Sequence, residues 1–195
     1  MPGDNQFAAQ PALNEVHTET NVMVTMRDGV RLACDIYRPA KNGSPIYGVF
    51  PVLLSSTPYS KTRADLARDA NFYAAQGYVS VLQDCRGRYE SGGGFTKYVA
   101  EGEDGFDTMA WLSKQPWFGG KIGTYGLSYS AHTQAAAACL NPPNLACMWM
   151  DSGGFSNAFL NACRNGGAFE LRQLTWAYKE AVESPEANAN PDTVK

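Results

Sequence analysis

One stretch of this chain limits its fold more than any other. Lys121–Tyr125 reads as a β-strand, Gly126-Leu127-Ser128-Tyr129-Ser130 breaks it, and the alanine-rich Ser130–Leu140 reads as a helix that starts at once. A strand that passes into a helix this abruptly must turn tightly at Ser128. The residues two before and two after it must then be small, and Gly126 and Ser130 are. Such a turn fits most naturally at the carboxyl end of a strand in a parallel sheet, with the new helix packed back on that sheet.

The rest of the chain keeps the same alternation. Val22, Val24 and Met26 alternate with polar residues, Asp28-Gly29 supplies a turn, and Val30, Leu32, Cys34 and Ile36 alternate on the return. That pattern predicts an antiparallel hairpin. Residues 1–20 read as a loose lead-in, and Pro39 to Pro45, with Asn42-Gly43, as a loop. Val49–Leu54 and Tyr78–Leu82 are apolar runs of the kind found in strands covered on both faces. Between them Arg63–Gln76 reads as a helix closed by Gly77. A glycine-rich loop, Asp84–Gly94, leads to a helix over Glu103–Ser113 with Phe106, Met109 and Ala110 on one face, and Leu145–Met150 is a further strand.

Strands alternating with helices predict an α/β fold with a mostly parallel sheet behind an N-terminal antiparallel hairpin. After Asp151 the pattern changes. Ala168–Ala181 reads as an amphipathic helix rich in aromatics, and Ser184–Lys195 as a polar tail. The expected division is a lead-in over 1–20, an α/β core over 21–156, and the start of a helical cap over 157–195.

Composition removes several functions. A net charge of −3 without a Lys/Arg block leaves no electrostatic footprint for nucleic acid or an anionic membrane. Neither G-x-G-x-x-G nor G-x-x-x-x-G-K-[ST] occurs, which argues against a nucleotide-binding domain. No apolar run approaches the ~18 residues of a membrane helix, and the polar N-terminus does not read as a signal peptide. A cytoplasmic location is the default expectation. The five cysteines have scattered spacings and no C-x-x-C, so most are expected to be small buried hydrophobes. Glu101, Glu103, Asp104 and Asp107 gather in or near a first helical turn, where the helix dipole favours negative charge. With no histidine near them in sequence they do not read as a metal site, and no cofactor is expected.

Ser128 is the candidate for chemistry. A strand–Ser–helix elbow is how α/β-hydrolases hold a nucleophile above the sheet, with the N–H of the next residue, here Tyr129, facing the developing oxyanion. An ordinary helix N-cap is the simpler alternative for the same serine.

A set of motifs in order carries a resemblance. Arg27-Asp-Gly-Val-Arg-Leu32, Asp35-Ile-Tyr-Arg-Pro39, Thr57-Pro-Tyr-Ser-Lys61 and Gln83-Asp-Cys-Arg-Gly87 come first. Trp111-Leu-Ser-Lys-Gln-Pro-Trp117 and Gly123-Thr-Tyr-Gly-Leu-Ser-Tyr129 follow. The chain resembles the CocE/NonD hydrolases over roughly residues 22–182, a group that includes cocaine esterases, α-amino-acid ester hydrolases and X-Pro dipeptidyl-peptidases. The resemblance implies an α/β-hydrolase fold and an ester or amide bond cleaved through an acyl-enzyme. It implies Ser128 as nucleophile, with the Tyr129 N–H and the Tyr59 hydroxyl as oxyanion donors. A Tyr59 packed on its loop with its hydroxyl in water is the alternative. The implied substrate is a small ester or amide or a short peptide, and a homo-oligomer is compatible with it.

The proton-transfer partners are harder to place. His132 lies one turn along the helix that begins at the elbow, poorly placed for a base that must approach from above, and His17 belongs to the lead-in. Asp151 is a candidate acid but reads better as a loop or cap residue. Asp84 and Arg86 are expected to hold their loop, by a mutual ion pair or by backbone hydrogen bonds. The resemblance places the triad Asp and His after a helical cap, beyond residue 195. The isolated chain is therefore expected to be nearly inactive, and a hydrolase-like domain that only binds a ligand or partner is the other reading.

Overall fold

The structure, a computed structural model, describes residues 11–153, 164–165, 168–169 and 171–182. The hairpin forms as expected, and its strands run further at the open end. Strand β1 spans Glu15–Thr25 and β2 spans Arg31–Lys41, joined through the Asp28-Gly29 turn, where the Met26 N–H donates to the Val30 carbonyl at 2.8 Å. Residues 15–20, read from sequence as lead-in, are part of β1, with Glu15 opposite Ala40. Their alternation is broken by a bulge between Glu19 and Val22, where Asn21 takes a φ of 53°, which hides the strand from a periodicity argument. The Pro39–Pro45 loop is also corrected. Ala40 and Lys41 pair with Pro45 and Ser44 of β3 (Ser44–Pro45) around Asn42-Gly43. Both turn residues have positive φ, 54° and 74°, as a two-residue type I′ turn requires.

Strands β4 (Phe50–Thr57), β5 (Val79–Asp84), β6 (Phe118–Leu127) and β7 (Leu145–Asp151) are parallel. Helix α1 (Ala64–Ala75) joins β4 to β5, α2 (Glu101–Leu112) joins β5 to β6, and α3 (Tyr129–Ala138) joins β6 to β7. The sheet order is β1-β2-β5-β4-β6-β7, so the β5-to-β6 crossover passes over β4. That reversal is where open α/β sheets form a crevice at their carboxyl edge. The loops after β4 and β6, neighbours in the sheet, meet there.

Each face of the sheet has its own core. Val79 and Val81 of β5 join Val52, Leu54, Ile122, Met109 and Leu112 on the side of α2 and α3. Leu82 joins Ala70, Ala74, Tyr37 and Tyr125 on the side of α1. Helices α2 and α3 approach closely because Gly105 faces Ala137, and a Cβ added at Gly105 would lie 2.7 Å from the Ala137 Cβ. Gly105→Ala is expected to destabilise the fold by about 1–3 kcal/mol through overpacking, measured by urea unfolding. A loss below the error of that measurement would show that the two helices can move apart.

The cysteine expectation holds for half of those described. Cys34 and Cys85 are buried, but Cys139 and Cys147 are exposed. Cys147 lies on β7, the edge strand, where Met148, Trp149 and Met150 are exposed as well. The helix read as starting at Ala168 begins later. Ala168–Phe169 forms a short strand, β9, with β8 (Arg164–Asn165), and helix α4 spans Leu171–Val182. No described helix is long and apolar enough to cross a membrane. Cys163, the expected boundary at 157 and the tail from Ser184 lie outside the described residues.

Candidate active site

Ser128 stands between the end of β6 and the first residue of α3, exposed, with φ 59° and ψ −114°. An ordinary N-cap has β-region dihedrals, and no side-chain cap bond forms here, so the simpler reading of this serine is not met. A non-glycine residue in this region stores about 1–3 kcal/mol of strain, a feature concentrated at functional sites. Neighbours hold it there. The Ser128 N–H donates to the Asp151 carbonyl at 2.8 Å, and the Ser128 carbonyl accepts from the Ala131 N–H at 3.0 Å. A Cβ at Gly126 would lie 2.4 Å from the Ser130 Cβ, which is why small residues flank the turn. Tyr129 opens α3, so its N–H has no carbonyl a turn earlier to receive it.

Tyr59 follows β4 and reaches the same place. Its ring meets the Trp176 indole of α4 edge to face, with centroids 6.4 Å apart, and the nearby Ser128 and Trp176 side chains act to lower its pKa. Burial nonetheless raises the phenol above its ordinary pKa, so it stays a neutral donor. Aromatic rings surround the pair. Tyr129 lies 6.5 Å from Tyr59 and stacks on Trp176 at 5.9 Å and on Tyr98 at 4.9 Å. The Tyr129 hydroxyl donates to Glu101 and accepts the Tyr98 N–H. Burial and the Glu101 charge push that phenol well up, while burial raises Glu101.

The loop carrying Tyr59 is anchored by buried charge that sequence reading did not find. Lys61, 1% exposed, reaches Asn21 Oδ1 at 2.8 Å, Asp35 at 3.3 Å and Asp84 at 3.7 Å. Its N–H donates to Asp84 Oδ1 at 2.7 Å. Burial pushes the Asp84 carboxyl up to about 6, against the pull of the Lys61 N–H and charge. Asp35, Lys61 and Asp84 belong to three separate sequence motifs, and only the fold shows that those motifs share one cluster. Arg88, also buried, donates to the Pro58 carbonyl at 2.9 Å and pairs with Glu180 of α4 at 2.9 Å.

Of the two expected ways of holding the loop, the mutual Asp84–Arg86 ion pair does not form. Arg86 bridges Asp28 at 2.6 Å and Asp104 at 2.5 Å, because Asp84 points inward to Lys61. Asp84 does hold its loop, as expected, through backbone N–H groups including that of Glu90 at 3.4 Å. The acidic turn of α2 is shared out among partners. Asp107 and Glu103 meet Arg27, Asp104 meets Arg86 and Glu101 meets Tyr129. No cluster able to hold a metal occurs among the described residues.

The remaining candidates stay apart from Ser128 Oγ. His132 is buried under Tyr98, with ring centroids 4.5 Å apart, and neither ring nitrogen has a hydrogen-bond partner among the described residues. Burial, with the Lys97 charge, lowers its pKa. His17 lies on β1, at the opposite edge of the sheet, with β2, β5 and β4 between it and β6. The Asp151 carboxylate accepts a hydrogen bond from Ser152 at 2.8 Å, while its carbonyl positions the elbow.

Comparison with known proteins agrees with this fold. The chain is 43% identical over 123 residues to cocaine esterase of Rhodococcus sp. (strain MB1 Bresler), across 61% of this chain and 21% of the esterase. Its fold matches a CocE/NonD family hydrolase from Staphylococcus aureus with a TM-score of 0.72 at 25% identity, over 94% of this chain and 40% of that one. An α-amino acid ester hydrolase matches with a TM-score of 0.65 at 28% identity, over 87% of this chain and 31% of that one. The chain thus spans about a fifth of the curated esterase it matches. A family model described as X-Pro dipeptidyl-peptidase (S15 family) covers residues 28–195. With the α/β-hydrolase fold and a match over most of its length, this chain belongs to the S15 family of X-Pro dipeptidyl-peptidases.

Proposed function

We propose that this chain provides the nucleophile and oxyanion hole of a serine hydrolase that cleaves an ester or amide bond through an acyl-enzyme. The observation that carries the reading is the strained, exposed Ser128 at the end of β6, with Tyr59 brought near it by the neighbouring strand β4. The names of the relatives, a cocaine esterase and an α-amino acid ester hydrolase, favour a small-molecule ester or amide or a short peptide as substrate.

In this mechanism Ser128 Oγ loses its proton to an imidazole and attacks the substrate carbonyl. The carbonyl oxygen becomes an oxyanion, held by the Tyr129 N–H and the Tyr59 hydroxyl. The imidazolium then protonates the leaving group, and the carbonyl re-forms as the acyl-enzyme. Water, deprotonated by the same imidazole, releases the acid and restores Ser128. Neither His17 nor His132 is placed for this, so the imidazole and its carboxylate partner come from outside these 195 residues. Every step is proton transfer and acyl transfer, and none calls for a cofactor.

Tyr59→Phe tests the oxyanion role, because it removes one oxygen and keeps the ring. The expected result is a fall in kcat of roughly 10²–10³-fold with KM little changed, since the donor acts on charge that develops in the transition state. An unchanged kcat with p-nitrophenyl acetate would remove Tyr59 from the site.

A further inference from the structure

We propose that Arg88 is a positioning residue for the reaction: it fixes the peptide that carries Tyr59 and seats helix α4 against it. The inference rests on the assignment of Tyr59 as an oxyanion donor made above.

The Arg88 side chain is buried, and all three guanidinium nitrogens donate to oxygens of the protein. Nε reaches the Pro58 carbonyl at 2.9 Å, Nη1 the Glu180 carbonyl at 3.1 Å and Nη2 the Glu180 carboxylate at 2.9 Å. The residue is anchored at its backbone as well. The Arg88 N–H donates to the Cys85 carbonyl at 3.0 Å, and the Cys85 N–H to the Thr57 carbonyl at 2.9 Å.

The contact with Pro58 acts directly on Tyr59. The Pro58 carbonyl and the Tyr59 N–H belong to one planar peptide. Arg88 holds its oxygen, and Thr57 Oγ1 accepts from its N–H at 3.1 Å. A plane held at both polar atoms has little freedom to tilt, and any tilt would be magnified at the far end of the phenol.

The contacts with Glu180 set the opposite wall. Glu180 supplies one of the last four carbonyls of α4, which have no donor within the helix, and a cation there also meets the negative end of the helix dipole. Trp176, one turn earlier on α4, packs against Tyr59 and stacks on Tyr129. Displacing α4 would leave the Arg88 charge buried without its carboxylate, a strongly unfavourable state. Arg88 thus joins the docking of α4 and the placement of Tyr59 in one event.

An Arg88 that only stabilised the fold would lower the unfolding midpoint and leave kcat per folded molecule unchanged. A positioning Arg88 sets that kcat, and only while the Tyr59 hydroxyl is present to be misplaced. Arg88→Lys keeps the charge, but one ammonium cannot span Pro58 and Glu180 as the planar fork does. In the active longer polypeptide, with p-nitrophenyl acetate and well below the unfolding midpoint, it is expected to lower kcat roughly 10–100-fold, with KM changing less. In a Tyr59→Phe background the same change is expected to lower kcat by less than about twofold further. Glu180→Ala, which frees the far side of the guanidinium, is expected to follow the same pattern with a smaller loss, and it carries the test if Arg88→Lys does not fold. Equal losses in both backgrounds, a change confined to KM, or an unchanged kcat would overturn the proposal. A silent Tyr59→Phe would instead overturn the site assignment on which it rests.

Discussion

Replacing Ser128 by alanine is expected to lower kcat by roughly 10⁴–10⁶-fold in the active polypeptide while leaving the thermal unfolding midpoint almost unchanged. The loss is large because nucleophile and base act as a unit, so without the nucleophile only the oxyanion donors and substrate binding still help. The fold should tolerate the change, since Ser128 is exposed and its backbone is held by the Asp151 carbonyl and the first turn of α3. A fluorophosphonate probe is expected to modify Ser128 alone, located by mass spectrometry, and to leave the alanine variant unlabelled. The 195-residue chain by itself should turn over ester little faster than the alanine variant, because neither of its histidines is placed to deprotonate Ser128. Full turnover by that chain, lost on Ser128→Ala, would contradict the proposed source of the base and direct attention to His132. Labelling at another serine would remove Ser128 as nucleophile.

Lys61→Met is expected to destabilise the fold by about 3–5 kcal/mol, seen as a fall of roughly 6–20 °C in the unfolding midpoint. The volume changes little, but Asp35 and Asp84 are left buried without their cation, and the Asn21 carbonyl oxygen loses a donor. The deficit should depend on pH in a defined direction. Burial already raises Asp84 from its ordinary 3.8 to about 6, and removing Lys61 raises it further. A carboxyl raised on folding stabilises the fold while protonated, and that contribution is lost as pH climbs through the folded value. The variant should therefore sit further below the wild type at pH 8 than at pH 5. A pH-independent deficit, or one under about 1 kcal/mol, would show that the cluster relaxes or admits water.

The legible parts of this protein are those set by neighbours in sequence. Alternation gave the N-terminal hairpin, the apolar runs gave β4 and β5, and the break at Gly126-Leu-Ser-Tyr-Ser130 gave both the elbow and the parallel sheet. The misreadings fall on strands too irregular or too short to show a period. Residues 15–20 were hidden by the bulge before Val22, Ser44–Pro45 is too short to show a period, and the helix of the cap was begun a few residues early at Ala168. Strands β3 and β9 pair across tight turns with residues close by in sequence, and only for residues 15–20 do the deciding hydrogen bonds run to a distant partner, β2. Arg86 is similar: Asp84 is close by in sequence, yet Asp28 and Asp104 hold it, because the Asp84 side chain turns into the sheet toward Lys61.

The sequence by itself determined that Ser128 sits on a strand–turn–helix, since a strained turn needs Gly126 and Ser130 locally whatever surrounds it. It also placed Tyr59 at the carboxyl end of a strand. The tertiary structure alone decided that these two meet, because β4 and β6 become neighbours only when the chain crosses over β4. It also decided that Asp35, Lys61 and Asp84, on three separate segments, close into one buried cluster under the Tyr59 loop. Helix periods and turn residues are local, whereas the desolvation and pairing of charge depend on which distant segments pack together.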